Sequence, residues 1–71
     1  MKEFVIFYLD FFDSALLMER VSGTDRESVL REYLFGLDPR WGDAEGFSIM
    51  NYDELVDYAL DGDLAIGVIE V

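Results

Sequence analysis

The sequence predicts a single acidic α+β domain over residues 1–71: a small, mostly antiparallel sheet in β-β-α-β-α-β order, with two helices on one face. Three observations carry the prediction. Two β-branched and aromatic segments near the amino terminus are separated only by Phe11-Phe12-Asp13-Ser14. Two helix-start signatures, Thr24-Asp25-Arg26-Glu27 and Asn51-Tyr52-Asp53-Glu54, each open a stretch with apolar residues at helical spacing. The chain closes on an apolar, β-branched segment, Leu64 to Val71, that alternates toward its end.

From Glu3 to Phe12, apolar residues occupy both alternating sets, Phe4, Ile6 and Tyr8 against Val5, Phe7 and Leu9. That pattern predicts a central strand covered on two sides. Asp13 and Ser14 favour a turn before Ala15 to Val21, so the first two strands form a hairpin. Thr24 and Glu27 fit a capping box, in which a hydroxyl and a carboxylate satisfy free N–H groups at a helix start. Val29, Leu30, Tyr33, Leu34 and Leu37 then recur at helical spacing, and Gly36 stands where a left-handed cap is expected, so the first helix spans about Asp25 to Phe35.

Leu37 to Gly46 contains the only proline, two glycines and Trp41, and reads as an irregular connection longer than the usual ~4 to 6 residues. Phe47 to Met50 is read as a short strand. Asn51 caps a second helix from Tyr52 to Asp61, which Gly62 ends, and Leu64 to Val71 forms the last strand.

Charge is distributed unevenly along the chain. The last 31 residues hold eight acids and no base, whereas the first 40 hold eight acids and all five bases. The formal charge of −11 thus divides into −3 and −8. Like charges at that density oppose folding, which calls for a compensating role. With 52% hydrophobic and 15% aromatic residues the chain carries more apolar content than a disordered acidic tail. Its longest apolar run, Phe4 to Leu9, is too short to span a membrane, and one lysine precedes it, which does not suit a signal peptide. A soluble, cytoplasmic protein is expected, repelled by nucleic acid and anionic membrane and attracted to basic proteins.

Asp53, Asp57 and Asp61 recur every four residues, placing three carboxylates on one helix face roughly 6 Å apart along the axis. Such pairs weaken an isolated helix by a few tenths of a kcal/mol each, and Asp61 lies at the unfavourable end of the helix dipole. A solvated face explains the acids, but it does not explain the missing lysines. Duplex DNA shows one charge per ~3.4 Å on each strand, so the stripe imitates a phosphate row only if Asp43, Glu45, Glu54 and Asp63 join it. That requires the 38–46 connection and the second helix to share a surface. Trp41 in Arg40-Trp41-Gly42-Asp43 fits either an interface anchor or a lid over the core. Tyr58 aligns with Leu55 as core, and Tyr52 is the more exposed candidate.

Other chemistries find less support. The Asp-x-Asp-x-Asp-Gly pattern of a calcium loop is absent, as is cysteine, so no specific metal or cofactor is expected. Without His or Cys, and with Ser14, Ser22, Ser28 and Ser48 lacking a neighbouring base, the chain is not expected to be an enzyme. Gly42 and Gly46 sit beside Asp43 and Glu45, which would repel phosphate.

In its length, acidity, one-sided charge and lack of Cys and His, the chain resembles the small phage-encoded DNA-mimic proteins of host takeover, in particular an inhibitor of the bacterial nucleoid protein HU. The residues that carry the likeness are Asp43, Glu45, Asp53, Glu54, Asp57, Asp61 and Asp63. DNA mimics share no motif, so the resemblance is one of whole-chain character. Arg20, Arg26 and Arg31 depart from it, leaving a single working face. The resemblance implies a non-enzymatic inhibitor whose acids occupy the DNA-binding cleft of a basic host protein, with Trp41 at their edge. Two rival readings are an anti-restriction or anti-CRISPR inhibitor that occludes a nucleic-acid channel, and an acidic adaptor or structural protein, including a homodimer.

Overall fold

The computed structural model describes all of residues 1–71. Strands β1 (Lys2–Asp10) and β2 (Ala15–Gly23) pair antiparallel without interruption, from Lys2 opposite Gly23 to Asp10 opposite Ala15. The Asp10 carboxylate accepts the Phe12 N–H at 2.9 Å, and Ser14 takes a left-handed conformation with φ of 53°. Strand β3 (Leu64–Glu70) returns antiparallel on the other side of β1, Phe4 facing Glu70 and Asp10 facing Leu64. The order is therefore β2-β1-β3, with β1 central as its composition predicts.

Between β2 and β3 the chain forms two helices, α1 (Arg26–Leu37) and α2 (Tyr52–Asp61). Both pack on the sheet face presented by Phe4, Ile6, Tyr8, Leu64, Ile66 and Val68. Val29, Leu30 and Leu34 from α1 and Leu55 and Ala59 from α2 complete that core. The α+β class and the single helical layer follow the sequence prediction.

Four local readings are corrected. Phe47 to Met50 is no strand: Phe47–Ile49 is a 3-10 turn entered through Gly46 at φ 81°. Only Phe47 of this turn is buried, while Arg31 donates from α1 to the Phe47 and Met50 carbonyls, so the apolar run serves as a plug and the sheet has three strands. The cap of α1 is Asp25 rather than Thr24; its carboxylate accepts the Ser28 N–H at 2.7 Å, and this bond holds its acidity above the ordinary. A charged acceptor there is stronger than a hydroxyl. The helix also runs through Gly36 to Leu37. It ends because Pro39 forces Asp38 into extended backbone, φ −157°.

The fourth correction concerns β1, whose second apolar face is not covered. Val5, Phe7 and Leu9 point away from the helices, beside Leu16 and Met18 of β2 and Ala65, Gly67 and Ile69 of β3. Leu16 and Met18 are 73% and 72% exposed, and Ile69 and Phe7 are also open to solvent. At the edge of β3, the Tyr52 hydroxyl accepts the Val68 N–H at 2.9 Å and lies 3.4 Å from its carbonyl oxygen. Tyr52 is thus half-buried and ties α2 to the sheet.

Candidate acidic surface

Helix α2 is built as its sequence predicts. Asn51 accepts the Glu54 N–H at 2.9 Å while the Glu54 carboxylate accepts the Asn51 N–H at 3.0 Å, a reciprocal capping box. Gly62 ends the helix with its N–H turned back to the Ala59 and Leu60 carbonyls. With Leu55 and Ala59 turned into the core, Asp53, Asp57 and Asp61 lie on the opposite, exposed face. Glu54 is exposed too, although one of its oxygens is engaged in the cap. Asp63 follows in a left-handed conformation, φ 64°, and its carbonyl accepts the Phe11 N–H from the hairpin turn.

The 38–46 connection is more ordered than an irregular loop. Pro39–Asp43 forms a 3-10 turn whose start is capped by the Asp38 carboxylate. Trp41 is half-buried: its ring meets that of Tyr58 edge-on at 5.3 Å, and its carbonyl accepts the Tyr58 hydroxyl at 2.7 Å. The indole also lies so close to Gly62 that a Cβ there would stand 2.5 Å from it. Phe47 packs on Tyr58 as well, with ring centroids 5.9 Å apart. Tyr58, the residue after Asp57, therefore pins the connection carrying Asp43 and Glu45 against the flank of α2. Trp41 is placed as a lid over that joint, and Asp43 and Glu45 are exposed.

The cations are disposed around these acids without pairing to them. Four ion pairs form: Lys2–Glu70, Arg20–Glu3, Arg31–Glu27 and Arg40–Asp38. The fifth cation, Arg26, lies over the Tyr52 ring at 3.9 Å from its centroid. None of Asp43, Glu45, Asp53, Glu54, Asp57, Asp61 or Asp63 takes part in an ion pair. Arg40 is held protonated first by its hydrogen bonds to Asp38, and more weakly by the charge of Asp43. The same guanidinium holds the Asp38 carboxyl below the usual carboxylate range.

No three carboxylates converge closely enough to hold a metal ion. A cleft between the hairpin turn and the Pro39–Asp43 turn is lined by Phe12, Leu17 and Trp41. Its Asp10 is engaged by the hairpin turn, and its Asp38 and Arg40 by each other. No helix is long and apolar enough to cross a membrane.

Two features of this surface escape sequence reading. Arg31, expected only as a departure from an anionic protein, is the clamp that seats the Phe47 turn. Arg26 places a positive charge at the amino end of α2, so the unrelieved anionic stretch begins beyond Tyr52. The absence of any base after Arg40 signals the unpaired acids, but not which bases fold back toward them. No family model matches the chain, and no curated protein or solved structure matches it either.

Proposed function

We propose that this protein is a non-enzymatic DNA mimic that binds a basic DNA-binding protein of the host, such as nucleoid protein HU, and blocks its access to DNA. One observation carries the reading: seven exposed acids along α2, its exit and the preceding connection have no ion-pair partner, while every ion pair in the molecule uses some other acid. Apart from Glu54, whose carboxylate caps α2, these carboxylates make no hydrogen bond within the chain, and without counter-charges they repel one another. Against a cationic cleft the same groups replace phosphates.

Asp53, Asp57, Asp61 and Asp63 form the working centre, while Arg40 tempers the field near Asp43. Glu54, Asp43 and Glu45 extend the row. A spacing of roughly 6 Å along the helix is sparser than one DNA strand, so neighbouring acids from the connection complete the imitation. The protein acts in the host cytoplasm, reaching the nucleoid through its partner.

The test is competition on purified HU dimer carrying a labelled duplex. Addition of this protein is expected to release the duplex at low salt, and release should fade as ionic strength shortens the screening length to about 8 to 10 Å. Failure to displace duplex even at low salt would refute the reading. Displacement that ignores salt would point to apolar docking instead.

A further inference from the structure

The uncovered sheet face differs from the rest of the molecule in being apolar and electrically neutral. Its strand residues are Val5, Phe7, Leu9, Leu16, Met18 and Ile69, with the small Ala65 and Gly67 between them. The face carries two charges, Glu3 and Arg20, and these bond each other at 2.7 Å. A molecule with a formal charge of −11 thus keeps one whole side at zero. Phe7 leans across Gly67, where a Cβ would stand 2.6 Å from the tip of the ring, so the central aromatic is drawn over β3.

We propose that this face is where two copies of the chain stack, sheet against sheet about a twofold axis. Neutrality selects the occupant. A cationic partner drawn by the acids would meet them on α2, on the far side of the molecule, and would find nothing to pair with here. A second copy brings an equally neutral surface, and its Glu3 and Arg20 remain compensated whether they pair within one copy or across the axis. Because both helices lie on the opposite face of each sheet, stacking carries the two acidic stripes outward and apart.

The size suits a weak homodimer. Three strands about 4.8 Å apart and nine residues at about 3.3 Å give a footprint of roughly 400 Å². Two copies would thus cover roughly 800 Å² in all, at the low end of interface sizes, where weak and transient pairs lie. Apolar patches of a few hundred Å² on a folded protein mark interaction sites. Stacked sheets settle about 10 Å apart with their side chains interleaved, which suits Leu16, Met18 and Ile69 around a Phe7 drawn over Gly67.

The pairing is independent of the DNA-mimic reading, and the two respond to salt in opposite directions. Two anions approaching each other are helped by screening, whereas an anion approaching a cationic cleft is hindered by it. Sedimentation equilibrium at about 100 µM, a concentration suited to a small interface, should give twice the monomer mass of 8.2 kDa. The dimer should tighten as salt rises. Met18→Asp, on the open face, should return the folded chain to monomer mass, while Leu17→Asp, on the helix-facing side, should leave the dimer intact. A wild-type chain that stays monomeric at this concentration would overturn the proposal. So would a Met18→Asp variant that remains dimeric, which would indicate pairing through the free edge of β2.

Discussion

Asp57 occupies the middle of the acidic stripe, and replacing it isolates the cost of that stripe to the fold. It stands four residues from both Asp53 and Asp61 on the exposed face of α2, with no cation in an ion pair to any of the three. Each like-charged pair at that spacing costs a helix about 0.2 to 0.5 kcal/mol. Asp57→Asn removes both pairs at once. Its central position in the ten-residue helix keeps it clear of either end of the dipole, and Asn and Asp have similar helix propensity. The expected gain is therefore about 0.4 to 1 kcal/mol. For 71 residues an unfolding entropy of ~150 cal/mol/K converts this into a Tm increase of about 3 to 7 °C. Thermal denaturation followed by circular dichroism measures it. The increase should be present at about 10 mM salt and nearly absent at about 1 M, where the screening length has shrunk from about 30 Å to 3 Å. The same variant should bind its target less well. A lower Tm at low salt would show that Asp57 has a stabilising partner, and the account of the stripe as functionally rather than structurally maintained would fail.

Gly36→Ala tests the course of α1. No atom lies within 4 Å of a Cβ built at Gly36, and the helix continues through it, so alanine should add about 0.8 to 1 kcal/mol in chemical denaturation; a loss would restore Gly36 as a left-handed cap. Tyr33→Phe tests the alkaline limb of stability. Burial, then the hydrogen bond donated to Glu19, raise the Tyr33 hydroxyl well above its usual value of 10. The folded chain therefore keeps a proton that the unfolded chain releases above pH 10, so this contribution is complete below pH 10 and declines as pH rises through and beyond it. Denaturation of wild type and variant across that range should show the stability difference shrinking, and parallel curves would remove Tyr33 from the pH response.

Much of this fold was legible because its signals were local. The Asn51–Glu54 box and Gly62 bracket α2 to the residue, and Asp13 and Ser14 fall in the hairpin turn as turn chemistry requires, although Phe11 and Phe12, read as the end of the first strand, lie in that turn and β1 stops at Asp10. Phe47 to Met50 failed for the opposite reason. A run of so few apolar residues has no period to read, and its conformation is decided by Arg31, sixteen positions away in sequence from Phe47. Thr24 and Asp25 are both acceptable caps, and only the geometry of the entering chain chooses between them. The acids of the candidate surface were legible as a group, since seven of the eight that follow Arg40 remain without an ion pair. The exception, Glu70, is reached by Lys2 because β1 and β3 are neighbours in the sheet. An apolar set on both faces of β1 was visible in the sequence. Nothing local reveals that the helices cover only one of them.

The hydrogen bonds between Tyr52 and Val68 also decide how far this sheet can grow. A ribbon with two vacant margins can recruit strands endlessly, as fibrils do. Here one margin is stoppered at its middle by a phenol from the acid-bearing helix, so recruitment along that side is interrupted and only β2 offers an unobstructed ladder. Without that hydroxyl, as in Tyr52→Phe, the Val68 N–H and carbonyl on this margin lose the side-chain partner that now occupies them.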